Sequence, residues 1–238
     1  MTTLPDFLEK IKQKMFLPEI AVYSAVFGVV TAGIILARSN QTAFTDGYVI
    51  EDGPVEWLTV AALLCCAGLC FSRAVRGFKA GARLFSLVWF LGAAACVFGT
   101  GEELAWGQRL FGYETPRFFL EHNSKLEPSI HCLMVEAGGI DVIYTAFDTG
   151  LGIAVFVYLF IFPPLYRNRN GLKAFIDRLA IPVPRKRHSA AFALLYLWIL
   201  LSGPGRGEVV EFAACWQFFL IMLYPENWSG IGSGAGIR

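Results

Sequence analysis

Runs of apolar residues long enough to cross a bilayer recur along this chain, separated by compact charged segments. That alternation constrains the fold more than any motif does. A hydrocarbon-spanning helix needs roughly 20 predominantly apolar residues. In lipid, each backbone N–H and C=O must find its partner within the protein, so a run of this length must be helical. Candidate spans lie at about 18–37, 55–72, 84–101, 141–165, 189–204 and 207–224. The expected fold is therefore all-α: a polytopic helical membrane bundle of about six transmembrane helices, with short interfacial helices in an outer segment at 101–141. A single membrane-embedded helical domain would cover 1–228, followed by a flexible Gly/Ser tail at 229–238. Composition agrees: 55% apolar and 16% charged residues depart from a soluble domain in the direction of burial in lipid. Ser202-Gly-Pro-Gly205 between the last two spans predicts a tight helical hairpin.

Orientation follows from the basic residues in the short loops. Lys10, Lys12 and Lys14 precede the first span. Arg73, Arg76, Lys79 and Arg83 flank the second loop, and Arg167, Arg169, Lys173, Arg178, Arg185, Lys186 and Arg187 fill the loop before span five. The opposite loops hold fewer: Arg38, Arg109, Arg117, Lys125 and Arg206. The expected topology is multi-pass in an inner membrane, with both termini cytoplasmic. The run at 20–37 is long for a signal peptide and lacks a small-residue cleavage site, so it reads as a retained anchor. A net charge of +1 gives no pull toward nucleic acid. The Gly-rich tail follows no strand and opens no helix, which excludes a nucleotide loop. Five of the six cysteines lie in apolar runs and read as small apolar filler; Cys132 alone sits in a connecting segment.

Most acids fall on the outer side, including Glu51, Asp52, Glu56, Glu102, Glu103, Glu127, Glu136, Asp141, Glu208 and Glu211. The positive-inside pattern concerns bases and requires no acidic outer surface. Some of these acids are explained by helix dipoles alone, since Glu56 and Glu208 would open helices. Span three is expected to continue through Glu102 and Glu103 to Phe111, with Gly112 as its cap. Glu102, Trp106 and Arg109 would then share one face, with Glu102 and Arg109 acting together to shape the outer segment. Thr115-Pro116 predicts the start of a second short helix, and Pro128 a third that carries His131 and ends near Gly138-Gly139, with Asp141 capping span four. Asp148, two turns inside span four, is a carboxylate at a depth where insertion costs about 2.5–3.5 kcal/mol; it is expected to face the bundle interior.

The block Gly101-Glu-Glu-Leu-Ala-Trp-Gly-Gln-Arg109, followed by Glu114-Thr-Pro116 and Phe118-Phe119, resembles an uncharacterised group of bacterial multi-pass inner-membrane proteins. So do the Glu51-Asp-Gly-Pro-Val-Glu56 entry and the Glu208/Glu211 start of the last span. The resemblance covers roughly residues 50–225 and implies a bacterial inner-membrane location but no activity. Members of the group tend to read Asn-x-Gln-x-Glu…His-Asn where this chain has Asn123-Ser-Lys125-Leu-Glu127…His131-Cys132.

Three functions fit these observations. The leading expectation is a non-catalytic or accessory subunit whose outer acidic and aromatic segment docks a partner membrane protein. The alternative is an intramembrane enzyme acting on a lipid or lipid-linked substrate. There Glu102, Glu103 and His131 would be catalytic or hold a metal, while Glu56, Trp106, Arg109, Asp148 and Glu211 would bind substrate or partner. The second alternative is a proton-coupled carrier built around Asp148. Hydrolase triads and zinc-protease motifs are missing from the sequence, and the pattern specifies no cofactor and no metal-ligand set.

Overall fold

The computed structural model describes residues 4–134, 136–137, 140–141, 143 and 149–229, with side chains except at 4–16, 136–137 and 140–141. The described chain is helical. The main helices are α1 (Leu4–Ser39), α2 (Pro54–Lys79), α3 (Arg83–Glu103), α4 (Gln108–Phe111), α5 (Arg117–His122), α6 (Leu151–Asn168), α7 (Asn170–Arg178), α8 (Lys186–Ile199) and α9 (Arg206–Leu223). Among the described residues, four helices are long and apolar enough to cross a membrane: Leu17–Ser39 within α1, then α2, α3 and α6. Their outward faces agree, because Leu64, Phe71, Leu87, Phe90, Leu91 and Val97 are exposed along α2 and α3. A water-soluble chain would bury a continuous apolar surface of that size.

The fifth and sixth expected spans are also helices, but of a different character. α8 has 14 residues and is extended only by a 3₁₀ turn, Leu200–Ser202. α9 carries Arg206, Glu208 and Glu211 in its first turns. Between them Gly203 and Gly205 take φ of 81° and 82°, which closes the expected hairpin. α2 and α3 form an antiparallel pair. α9 packs on α2 and also touches α8 and α1. One core cluster joins α1, α8 and α9 through Val30, Phe44, Leu195, Ile199, Phe212 and Ala213.

The two ends of this bundle differ. At one end, Arg73 donates to the carbonyls of Met222 and Leu223 at the close of α9 and lies over the rings of Trp89 and Trp228. Arg167 pairs with Glu226, and buried Glu19 meets Arg187 and His188. The other end gathers the acids.

Four local expectations are corrected by the structure. α3 stops at Glu103 rather than running to Phe111. The chain turns through left-handed backbone at Ala105, Trp106 and Gly107 (φ 46°, 52° and 85°) before the single turn of α4, which Gly112 caps as expected at φ 64°. The physical reason is a small residue one turn back. A Cβ on Gly101 would lie 2.9 Å from the Trp106 ring, so only glycine lets the indole fold onto the helix end. Residues 123–134 form turns with an Asn123–Leu133 bridge, not a helix starting at Pro128, because their polar side chains bond to local backbone. Asp141 pairs with Glu136 in a two-residue antiparallel ladder, Glu136–Ala137 with Ile140–Asp141, instead of capping a helix. α1 starts at Leu4, so its helix takes in Lys10, Lys12 and Lys14, which the sequence placed in a tail before the span.

Candidate functional site

Arg109 organises the acidic end. Its Nη1 donates to Glu127 at 2.9 Å, and its Nη2 donates to Glu56 and to the backbone carbonyl of Glu103. Asp52 lies 3.2 Å from Nε without hydrogen-bond alignment, and Glu51 lies 3.5 Å from Nη1. Burial works to lower the Arg109 pKa, but Glu56, Glu127, Asp52 and Glu51 outweigh it and raise the value. Lys125 pairs with Glu51 at 2.9 Å; burial opposes its charge, and the bond to Glu51 more than restores it. These contacts tie the outer segment to the start of α2. Glu56 adds a second tie by accepting from the backbone N–H of Asp52.

Glu102 is buried and spends both oxygens. Oε1 accepts from Trp106 Nε1 at 2.7 Å. Oε2 accepts from the backbone N–H groups of Ile130 and His131 at 2.6 and 2.9 Å, and lies 3.2 Å from His131 Nδ1. The expected partnership between Glu102 and Arg109 therefore does not form, because the left-handed hook at 105–107 swings Arg109 away toward α2. Glu102 does meet Trp106, but through the hook rather than through a continuous helix. Two non-glycine residues in left-handed backbone cost about 1–2 kcal/mol each. Strain of this kind persists where the surroundings hold it, and it clusters at functional sites.

His131 is half-buried. Burial would lower its pKa, but its hydrogen bonds to Cys132 and Glu102 prevail and raise it to about 10. A second set of acids lies nearby. The charges that act on Glu103 are those of Glu211, Glu208, His131 and Glu56, while Lys125 and His131 are the cations that act on Glu208. Cys215, one turn below Glu211, feels Glu103 and Glu211. The structure thus brings together the three residues expected to be catalytic, Glu102, Glu103 and His131, with Glu56 and Glu211 from two other helices. Asp148, with its neighbours Tyr144 and Thr145, lies outside the described residues.

Sequence reasoning missed Glu127 and Cys132. One ligand atom each from Glu127, His131 and Cys132 lies within 4.8 Å of the other two, so these side chains can hold a metal ion. The available signal was the dipeptide His131-Cys132, which places the chain's one loop cysteine beside its candidate site histidine. The turn that carries them is fixed by Asn123, whose Nδ2 donates to the Ser129 carbonyl at 2.7 Å, and by Ser129 Oγ, which donates to Glu127 at 3.0 Å. Comparison with protein families, with curated proteins and with solved structures finds no match to this chain.

Proposed function

We propose that the chain is a multi-pass membrane enzyme acting on the polar end of a lipid or lipid-linked substrate through a Glu/His site. The observation that carries this reading is the gathering of Glu103, Glu208 and Glu211 beside the Glu102–His131 pair, contributed by two helix ends far apart in sequence. Like carboxylates repel, so gathering them in one place is unfavourable unless something else is gained. Their level matters too. Glu56 opens α2, Glu102 and Glu103 close α3, and Glu208 and Glu211 open α9, which is the depth of headgroups if these helices span. At that level a general acid–base pair meets the polar part of a molecule whose tail stays in lipid. Arg109 is committed to four carboxylates, which leaves substrate anchoring to the acid-lined face and to a bound cation.

In this reading all six helices cross a bacterial inner membrane, with both termini cytoplasmic and the acidic end outside. The distribution of basic residues supports it. An impermeant thiol reagent applied from outside should reach Lys125→Cys and miss Lys79→Cys and Lys186→Cys. Labelling at Lys79→Cys overturns the topology. The enzyme reading is tested by reconstituting the protein in vesicles of phosphatidylethanolamine and phosphatidylglycerol and following headgroup loss by mass spectrometry. Turnover that His131→Gln and Glu103→Gln abolish supports it. A wild-type protein that carries no co-purified lipid and changes no headgroup sinks it.

A second reading, the accessory subunit, is favoured by one observation. The outer segment exposes Trp106, Leu110, Phe111, Phe118, Leu120 and Leu126, with Phe111 82% exposed, on a scaffold that Arg109 and Glu102 hold rigid. Aromatic anchors on a rigid surface suit a membrane-protein partner.

A further inference from the structure

We propose that Glu127, His131 and Cys132 bind a divalent transition metal, zinc by ligand chemistry, with Glu102 as the positioning residue that aims His131. The three ligand atoms already lie within 4.8 Å of one another, close to the spacing that a single ion imposes on its ligands. A thiolate with an imidazole and one carboxylate selects zinc over magnesium or calcium, which prefer all-oxygen sites. Three protein ligands leave a fourth position for water or substrate, the arrangement found in catalytic rather than structural zinc sites.

The second observation is Glu102. Its buried Oε2 lies 3.2 Å from His131 Nδ1 and is fixed by two backbone N–H groups of the same turn. A carboxylate on one imidazole nitrogen sets the tautomer and leaves the other nitrogen as the ligand, the usual support for a metal-bound histidine. Glu127 also bonds to Arg109 and Ser129. A carboxylate offers about four lone-pair positions, so those two bonds leave room for an ion. On binding, protons displaced from the ligands are released to solvent. Coordination rests on this trio alone. The ion's role in polarising a headgroup oxygen and lowering the pKa of a bound water rests on the proposed function.

The test uses the full-length protein purified in detergent and stripped with chelator. Zinc is titrated with metal content read per chain, and Co²⁺ is titrated with its absorption spectrum as readout. The expected result is one ion per chain and a thiolate-to-cobalt charge-transfer band. Cys132→Ser should remove that band, and Glu102→Gln should weaken affinity by about 10–100-fold. Circular dichroism and size-exclusion chromatography confirm that each variant is folded; if Glu102→Gln fails to fold, Glu102→Asp replaces it.

Wild-type protein that binds neither metal overturns the proposal. So does a band that survives in Cys132→Ser but disappears in Cys66→Ser, which would place the ion at the buried Cys66, Cys70 and Cys96 thiols. Metal binding in a protein that turns over no lipid upholds the site and removes the enzyme reading. Lipid turnover by a protein that binds no metal does the reverse.

Discussion

The two ends of the bundle solve opposite electrostatic problems, and they do so unequally. At the basic end, the more buried cations meet backbone carbonyls or acids. Arg73 caps the last carbonyls of α9 between two indole rings, Arg167 takes Glu226, and Glu19 sits between Arg187 and His188. Cations on helix C-terminal carbonyls are what helix physics alone arranges. At the acidic end, four carboxylates surround one guanidinium, and Glu103, Glu208 and Glu211 lie beside the Glu102–His131 pair. Helix dipoles explain Glu56 and Glu208, which sit in first turns. They do not explain Glu102 and Glu103, which sit where a helix C-terminus disfavours anions. The surplus of acid at one end is therefore the feature that marks a site, while the basic end reads as architecture.

The largest expected effect comes from removing the one cation that holds the acidic end closed. Arg109→Met leaves Glu56 and Glu127, with side chains only 8% and 6% exposed, without their counter-charge. Breaking a buried pair by deleting one partner typically costs about 3–5 kcal/mol. Thermal unfolding in detergent should show a large drop, and proteolysis should open the 104–134 segment first. The matching change at the other end, Arg73→Met, loses carbonyl bonds and ring stacking but strands no acid. It should cost roughly 1–3 kcal/mol. Equal losses from both would erase the distinction between the ends.

A single kind of substitution should next give opposite signs at the two ends. Glu19→Gln removes a buried charge that His188 Nε2 meets at 2.9 Å and Arg187 at 2.6 Å. Hydrogen bonds to charged groups contribute about 1.5–3 kcal/mol, so this variant should be destabilised by about that much. Glu103→Gln removes one of several repelling carboxylates and should stabilise by about 0.5–2 kcal/mol while losing activity, the exchange expected when strain or repulsion serves function. Paired unfolding curves decide it. A destabilised Glu103→Gln would mean that Glu103 is a structural acid.

The global features were legible because lipid imposes a length and a sidedness on sequence. The limits of α2 and α3 agree with the apolar runs to within a few residues, except that α2 continues past residue 72 to Lys79. The capping glycine at 112 and the helix after Pro116 were also readable, since both are local chemistry. The reversal at 104–107 was not. It depends on an indole packing against Gly101 and on Glu102 reaching across to residues 130–131, contacts that no periodicity encodes. For the same reason the sequence brought Glu102, Glu103 and His131 into one hypothesis but gave Arg109 the wrong partner. A shared helical face assumes a helix that continues, and this one stops at Glu103.

The smallest effect, and the sharpest control, is at Lys125. Its side chain and that of Glu51 are 37% and 41% exposed and lie 2.9 Å apart. Exposed pairs of this kind contribute about 0.2–1 kcal/mol and weaken with salt. Lys125→Met should therefore cost less than about 1 kcal/mol, with the loss vanishing at high ionic strength. A double-mutant cycle with Glu51→Gln isolates the pair, because each single change removes the same contact. Glu51 also lies near Arg109, so its own substitution should cost little: Arg109 retains Glu56, Glu127 and Asp52. A loss from Lys125→Met that is well above about 1 kcal/mol and insensitive to salt would point elsewhere. Glu208 is the candidate, since its charge also acts on Lys125. Lys125 would then be holding the second set of acids in place, and the balance at the acidic end would rest on two cations instead of one.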